Sequence, residues 1–331
     1  PLGSWRAQAI KGSAVSLLEG VQAAVGSDAK VLYSEGAKLA IGERTFLLPT
    51  TYNQDDKSGF QAAIETAKKA DAVVLAIGED AWQSGEGRSQ VEIGLKGVQE
   101  ELLQEIYKAN KNVVVVLMAG RPLVINWMAE NIPAILNTWH LGSQAGNAIA
   151  DVLFGDYNPS GKLPVSFPRH GGQLPLYYNH KNTGRPTGGA NVFWSHYTDA
   201  PNTPLYPFGF GLSYTTFEYS EIRLSSETID MSGELKISLE LTNTGKRAGA
   251  EVVQLYIRDL VASVTRPVKE LKGFQKVELN PGQTQEITFT LTSDDLAFYT
   301  RGGRWEAERG QFKVWVGPNS QEVREGEFTL Q

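Results

Sequence analysis

The sequence predicts two architectures in one chain: an α/β sandwich on a mostly parallel sheet, then a β-sandwich. Three observations carry this reading. In the first half, apolar residues switch between helical spacing and short unbroken runs. From about Phe217 they alternate with polar residues. Between the two lies a stretch dense in proline, glycine and aromatic residues. The predicted division is 1–165 for the α/β part, 166–216 for an ordered linker and 217–331 for the β part.

In chain order, Val15, Leu17, Leu18, Val21, Ala24 and Val25 have helical spacing, and Lys30–Tyr33 reads as a short strand. Phe60, Ala63, Ile64 and Ala67 form a second helical face. Ala72–Ile77 is continuously apolar, as expected for a strand buried on both faces of a parallel sheet. Val98, Leu102, Leu103, Ile106 and Tyr107 mark a helix, Val113–Met118 and Ala134–Trp139 further strands, and Ala145–Phe154 a helix stopped by Gly155. The linker holds Tyr177, Tyr178, Phe193, Trp194, Tyr197 and Tyr206, too aromatic for a disordered tether. Beyond it, Leu235–Leu241, Val252–Ile257, Glu286–Leu291 and Gln311–Val316 read as strands. Turn signals such as Asn243-Thr244-Gly245 and Asn280-Pro281-Gly282 separate them.

The bulk properties narrow the function. A net charge of −6 argues against nucleic acid or an anionic membrane as partner, and no apolar run approaches the length of a membrane span. The absence of cysteine rules out disulfides and thiolate metal sites, and the four histidines lack metal-ligand spacing. Gly209-Phe210-Gly211 lacks the third glycine and the context of a dinucleotide site. Gly142-Ser143-Gln144-Ala145-Gly146 does not match a nucleophile elbow. No cofactor or metal is expected.

What remains is a carboxylate-rich stretch, residues 76–95, at the carboxyl end of the Ala72–Ile77 strand, where ligands gather in open parallel sheets. Glycoside hydrolysis needs two carboxyl groups, one acting as acid and base and the other as nucleophile or second base. Glu86 lies in Ser84-Gly85-Glu86-Gly87-Arg88, where flanking glycines let the backbone approach a ligand. Read from composition, Glu86 is either that acid or a surface residue paired with Arg88. Glu79, at the strand exit, reads as a candidate or as a buried structural acid bonding loop amides. Asp80 and Glu92 read as solvated, and His140, at another strand exit, as structural.

Several longer stretches resemble the carboxy-terminal half of a family 3 glycoside hydrolase of the periplasmic bacterial β-glucosidase type. They are Gly78-Glu79 after an apolar strand, Met118–Leu123 (MAGRPL), Gly146–Pro164 (GNAIADVLFGDYNPSGKLP), Tyr206–Thr215 (YPFGFGLSYT) and Arg266–Phe274 (RPVKELKGF). The resemblance spans nearly the whole chain. It implies a TIM-like barrel followed by the α/β sandwich and a fibronectin-III-like β-sandwich. It also implies retaining exo-hydrolysis of β-linked glucose or related sugars, with the nucleophilic aspartate in the barrel and the acid/base glutamate on a sandwich loop. By position after Gly78-Glu79, Glu86 matches that glutamate. Trp82 then either stacks on the sugar in the leaving-group position or packs the loop on the barrel, and Arg88 is a candidate to orient Glu86 and contact substrate. The compartment implied is the periplasm or the exterior.

The chain departs from this pattern in lacking a barrel, and with it the nucleophile. It also lacks the apolar strand that relatives place before a Gly-Ser-Trp like Gly3-Ser4-Trp5. It is therefore expected to be one piece of a longer polypeptide, with the amino-terminal barrel segment of that polypeptide as partner, either continuous with it or as a separate, proteolytically nicked chain, and to be inactive and poorly stable alone. Pro1-Leu2-Gly3-Ser4 reads either as a cleaved-tag scar or as native sequence. Two rival functions stay open: a non-catalytic carbohydrate-binding or scaffold protein, and a related glycosidase acting by phosphorolysis or on xylose or N-acetylglucosamine.

Overall fold

A computed structural model describes every residue except 1, 4, 5, 7, 8, 11, 46 and 187–190. Pro1 and Ser4 of the opening tetrapeptide, and Trp5 of the Gly-Ser-Trp stretch, therefore lie outside the described residues. The chain forms two compact units, residues 1–157 with 169–172, and residues 158–168 with 173–331. Among the described residues no helix is long and apolar enough to cross a membrane.

The first unit runs α1 (Leu17–Val25), β1 (Ala40–Ile41), β2 (Thr51–Tyr52), α2 (Phe60–Lys68), β3 (Val73–Gly78), α3 (Gln99–Ala109), β4 (Val113–Met118), α4 (Asn126–Asn131), β5 (Ala134–Asn137) and α5 (Ala145–Phe154). A capping box starts α1: Glu19 N donates to Ser16 Oγ (3.2 Å) and Ser16 N donates to Glu19 Oε2 (2.8 Å). Gly155, in the left-handed region at φ 83°, ends α5. Strands β3, β4 and β5 form a parallel sheet in that order, with Val73 opposite Val113 and Gly78 opposite Met118. The central strand β4 supplies the fully buried Val113, Val115, Val116 and Leu117.

Two expectations fail in this unit. Lys30–Tyr33 forms no strand. It pairs with none among the described residues, and Tyr33 is 66% exposed, because an apolar run becomes a strand only where another strand completes its ladder. Nor is the Ala72–Ile77 run buried on both faces. Strand β3 is an edge of the described sheet, Val74 is 38% exposed, and only Ile77 and Gly78 are buried.

The second unit contains β6 (Phe217–Tyr219), β7 (Arg223–Leu224), β8 (Thr228–Ile229), β9 (Glu234–Asn243), β10 (Gly249–Asp259), β11 (Glu270–Leu279), β12 (Thr284–Thr292), α6 (Ser293–Leu296), β13 (Phe298–Tyr299), β14 (Trp305–Glu306), β15 (Gly310–Gly317) and β16 (Arg324–Leu330). A five-stranded sheet, β11-β10-β15-β16-β8, and a smaller sheet, β12-β9-β6 with β7 also on β9, make the β-sandwich. Alternation sets the core: Leu235, Ile237, Leu239 and Leu241 of β9 all face inward with Leu255, Phe312 and Phe328. Trp315 is buried and donates to Glu325 Oε2 (2.6 Å), whereas Trp305 is exposed.

Residues 158–168 and 173–216 pack as part of this second unit. Phe167 N donates to Tyr206 O and Leu205 N to Phe167 O, both at 2.8 Å, and Tyr178 stacks on Phe208 with ring centroids 4.2 Å apart. Lys162 forms a buried ion pair with Glu251 of β10 at 2.8 Å. Gln254 Nε2 donates to Gly209 O (3.1 Å) and Pro318 O (2.6 Å).

Candidate active site

The carboxyl ends of β3 and β4 lie side by side, and the candidate loop rises from the first of them. Gly78 ends β3 at φ 141°, and a Cβ there would stand 1.9 Å from the Met118 carbonyl oxygen, so only glycine lets the two strands close at this point. The buried Gln99 satisfies both outward backbone groups of Gly78. Gly78 N donates to Gln99 Oε1 (2.8 Å), and Gln99 Nε2 donates to Gly78 O (2.9 Å).

The acids of the stretch then divide by environment. Glu79 has a fully buried side chain. Its Oε2 accepts from Gly120 N (2.8 Å), and its Oε1 lies 2.8 Å from Arg121 Nε. The second contact is an ion pair rather than an aligned hydrogen bond, since neither Oε1 nor Nε has a hydrogen-bond partner. Of its two readings, Glu79 takes the structural one. Asp80, expected to be solvated, is instead 9% exposed. It pairs with Arg44, and its Oδ1 accepts from Trp82 N (2.9 Å). The cause is tertiary: the 43–48 loop delivers a cation to an acid that also closes its own turn. Glu92 is exposed, as expected.

Glu86 differs from both. It is exposed at the tip of a turn, between Gly85 (φ 117°) and Gly87 (φ 70°). Among the described residues its carboxylate makes no hydrogen bond or ion pair. The alternative reading of a Glu86–Arg88 ion pair is not what the structure holds, for Arg88 Nη1 donates to Leu48 O (3.3 Å). Trp82 is half-buried lower on the same loop, with the Arg6 guanidinium 5.4 Å from the centre of its ring.

The root of the loop is held firmly. Arg121, directly beyond the β4 exit, donates from one nitrogen, Nη2, to the carbonyls of Gln83 (2.7 Å) and Arg88 (3.0 Å). Gln90 Nε2 also donates to Gln83 O (3.1 Å). On the other flank Ser84 Oγ lies 3.3 Å from His140 Nε2. Burial lowers the His140 pKa from its ordinary value, so the ring is neutral near pH 7. The structure thus brings Trp82, Glu86 and Arg88 onto one loop at the expected end of the sheet. Reading the sequence missed Arg44, Gln99 and the bracing role of Arg121. Arg121 stands just past a strand exit, which is the available signal, but strand order is needed to put it beside residues 79–88.

Residues 1–214 match the model of the glycosyl hydrolase family 3 C-terminal domain. The chain belongs to glycoside hydrolase family 3. Within this family 3 chain, residues 251–320 match a fibronectin type III-like domain. It is 44% identical over 338 residues to the periplasmic beta-glucosidase of Salmonella typhimurium, covering 99% of this chain and 44% of that protein. A beta-xylosidase of Formosa agariphila is also 44% identical, over 92% of this chain and 40% of its own length. Among solved structures, a β-glucosidase from Erythrobacter marinus superposes with TM-score 0.87 at 39% identity, covering 96% of this chain and 43% of that one. A Listeria innocua beta-glucosidase in complex with laminaribiose gives 0.88 at 35% identity, covering 99% and 43%. The family 3 chain therefore spans less than half the length of these relatives.

Proposed function

We propose that this chain supplies the general acid/base half of a retaining β-glycosidase, with Glu86 as the acid/base and the nucleophilic aspartate in a barrel segment of the same polypeptide. The single observation that carries this reading is the division of labour among the acids. Glu79 and Asp80 are buried in ion pairs, while Glu86 is exposed, without a partner among the described residues, and raised on a tip at the carboxyl end of β3.

In the first step the barrel aspartate attacks the anomeric carbon, the bond to the leaving oxygen breaks, and Glu86 gives that oxygen its proton. In the second, the Glu86 carboxylate takes a proton from water as the water oxygen attacks the anomeric carbon and displaces the aspartate. Retention requires the two carboxyl groups about 5 Å apart, so the tip must meet the nucleophile across a narrow gap. Trp82 offers an aromatic face to the sugar in the leaving-group position, and Arg88 lines the same subsite. The substrates are β-glucosides or related oligosaccharides. The β-glucosidase and β-xylosidase names of relatives leave the choice between hexose and pentose to the barrel. The Salmonella relative supports action in the periplasm or outside the cell.

The test is Glu86→Gln in the complete enzyme. With poor leaving groups kcat/KM should fall about 10²–10⁴-fold, glycosylation by activated aryl glycosides should persist, and azide should restore turnover where deglycosylation limits. Wild-type kinetics with every substrate would remove Glu86 from the role.

A further inference from the structure

Among the described residues Glu86 has no side-chain partner, so the backbone on either side decides where its carboxyl sits. Those two flanks are what Arg121 holds. The carbonyls of Gln83 and Arg88 bracket the tip, and Arg121 Nη2 donates to both, at 2.7 and 3.0 Å. Between them Arg88 N donates to Gly85 O (3.2 Å), closing the turn that lifts Glu86. The guanidinium is itself fixed: its Nε lies 2.8 Å from Glu79 Oε1, and Glu79 Oε2 accepts from Gly120 N at 2.8 Å. Glu79 directly follows β3 and Gly120 stands two residues past the end of β4, so the loop is referenced to the rigid end of the parallel sheet.

We infer that Arg121 is a positioning residue for acid/base catalysis, setting the height and direction of Glu86 by bridging the Gln83 and Arg88 carbonyls. The inference rests on the assignment of Glu86 above. Two glycines with positive φ leave the tip many conformations, and misplacing a reacting group by about 1 Å costs on the order of 10²-fold in rate. A lysine would keep the charge beside Glu79 but lacks the planar fork that serves the carboxylate and both carbonyls together.

The experiment compares Arg121→Met, Arg121→Lys and Glu86→Gln in the full-length enzyme, using aryl β-glucosides with leaving phenols of graded acidity. Both Arg121 variants should lower kcat/KM about 10²-fold for phenyl glucoside and less than about threefold for dinitrophenyl glucoside, which needs little protonation. The slope of rate against leaving-group acidity should steepen as it does in Glu86→Gln. Amides of residues 84–87 should exchange hydrogen at least about tenfold faster in Arg121→Lys while those of β4 keep their protection, which controls for folding. If Glu86→Gln steepens the slope and Arg121→Lys, folded, does not, Arg121 has no positioning role and Glu86 stands. An equal fall for all leaving groups would mark Arg121 as structural only. A slope unmoved by Glu86→Gln would overturn the Glu86 assignment and this inference with it.

Discussion

Replacing Lys162 by methionine should unfold the second unit far more readily than a surface lysine change. Lys162 Nζ is 2.8 Å from Glu251 Oε1 and donates to Gly211 O at 3.1 Å, with side chains only 11% and 6% exposed. Tyr219 OH donates to the same Glu251 oxygen at 3.1 Å, and burial pushes that hydroxyl well above the ordinary tyrosine pKa, keeping it a donor. Lys162→Met leaves a buried carboxylate with one neutral donor, a change that costs about 3–5 kcal/mol when one member of a buried pair is removed. For a unit of this size each kcal/mol is worth about 2–4 °C, so the unit should melt roughly 6–20 °C lower. Native-state hydrogen exchange at β9 and β10 amides reads the free energy of this unit alone. The triple change Lys162→Met, Glu251→Leu, Tyr219→Phe should recover most of the loss, because apolar replacement of a whole buried network is often neutral. A cost below about 1 kcal/mol for Lys162→Met would refute the reasoning, since a buried charge cannot lose its partner that cheaply.

Burial raises the Asp259 pKa to about 6, and its Oδ2 has no hydrogen-bond partner among the described residues. Because the folded value lies above the unfolded one, the folded state binds the proton more tightly, and stability falls as pH rises from about 4 to about 6. Asp259→Asn, which keeps an Oδ1 acceptor for Val261 N (3.1 Å), should therefore stabilise the unit above pH 6 by on the order of 2 kcal/mol and give nothing below pH 4. Denaturant midpoints at pH 4 and 7 check this, and an equal gain at both would sink it. Gly78→Ala, with its Cβ aimed at the Met118 carbonyl, should cost more than about 3 kcal/mol of β3–β4 stability. Gly87→Ala meets nothing within 4 Å and should cost only about 1–2 kcal/mol for its left-handed backbone. Exchange protection at β4 separates the two.

Periodicity places α1, α2, α3, α5 and β9, β10, β12 and β15 of the β-sandwich, because spacing of 3.6 or 2 is imposed by the geometry of each element on its own chain. An unbroken apolar run places β4, whereas β11 and β16 are not read from the sequence. The tip residue Glu86 is likewise legible, since glycines on both sides of an acid after a strand exit are a local signal. Neighbours in space are not local. Lys30–Tyr33 has strand composition and, among the described residues, no strand to pair with, and the apolar run of β3 gives no notice that it sits at an edge of the described sheet. Asp80 looks like any loop acid until Arg44, from 36 residues earlier, reaches it. Arg121 and Gln83, 38 residues apart, meet only because β3 and β4 are adjacent. Side-chain type and spacing determine which elements form and which acid is exposed on a tip. The order of strands in the sheet decides which charges are neutralised at its end, because ion pairing depends on distance through space and not along the chain.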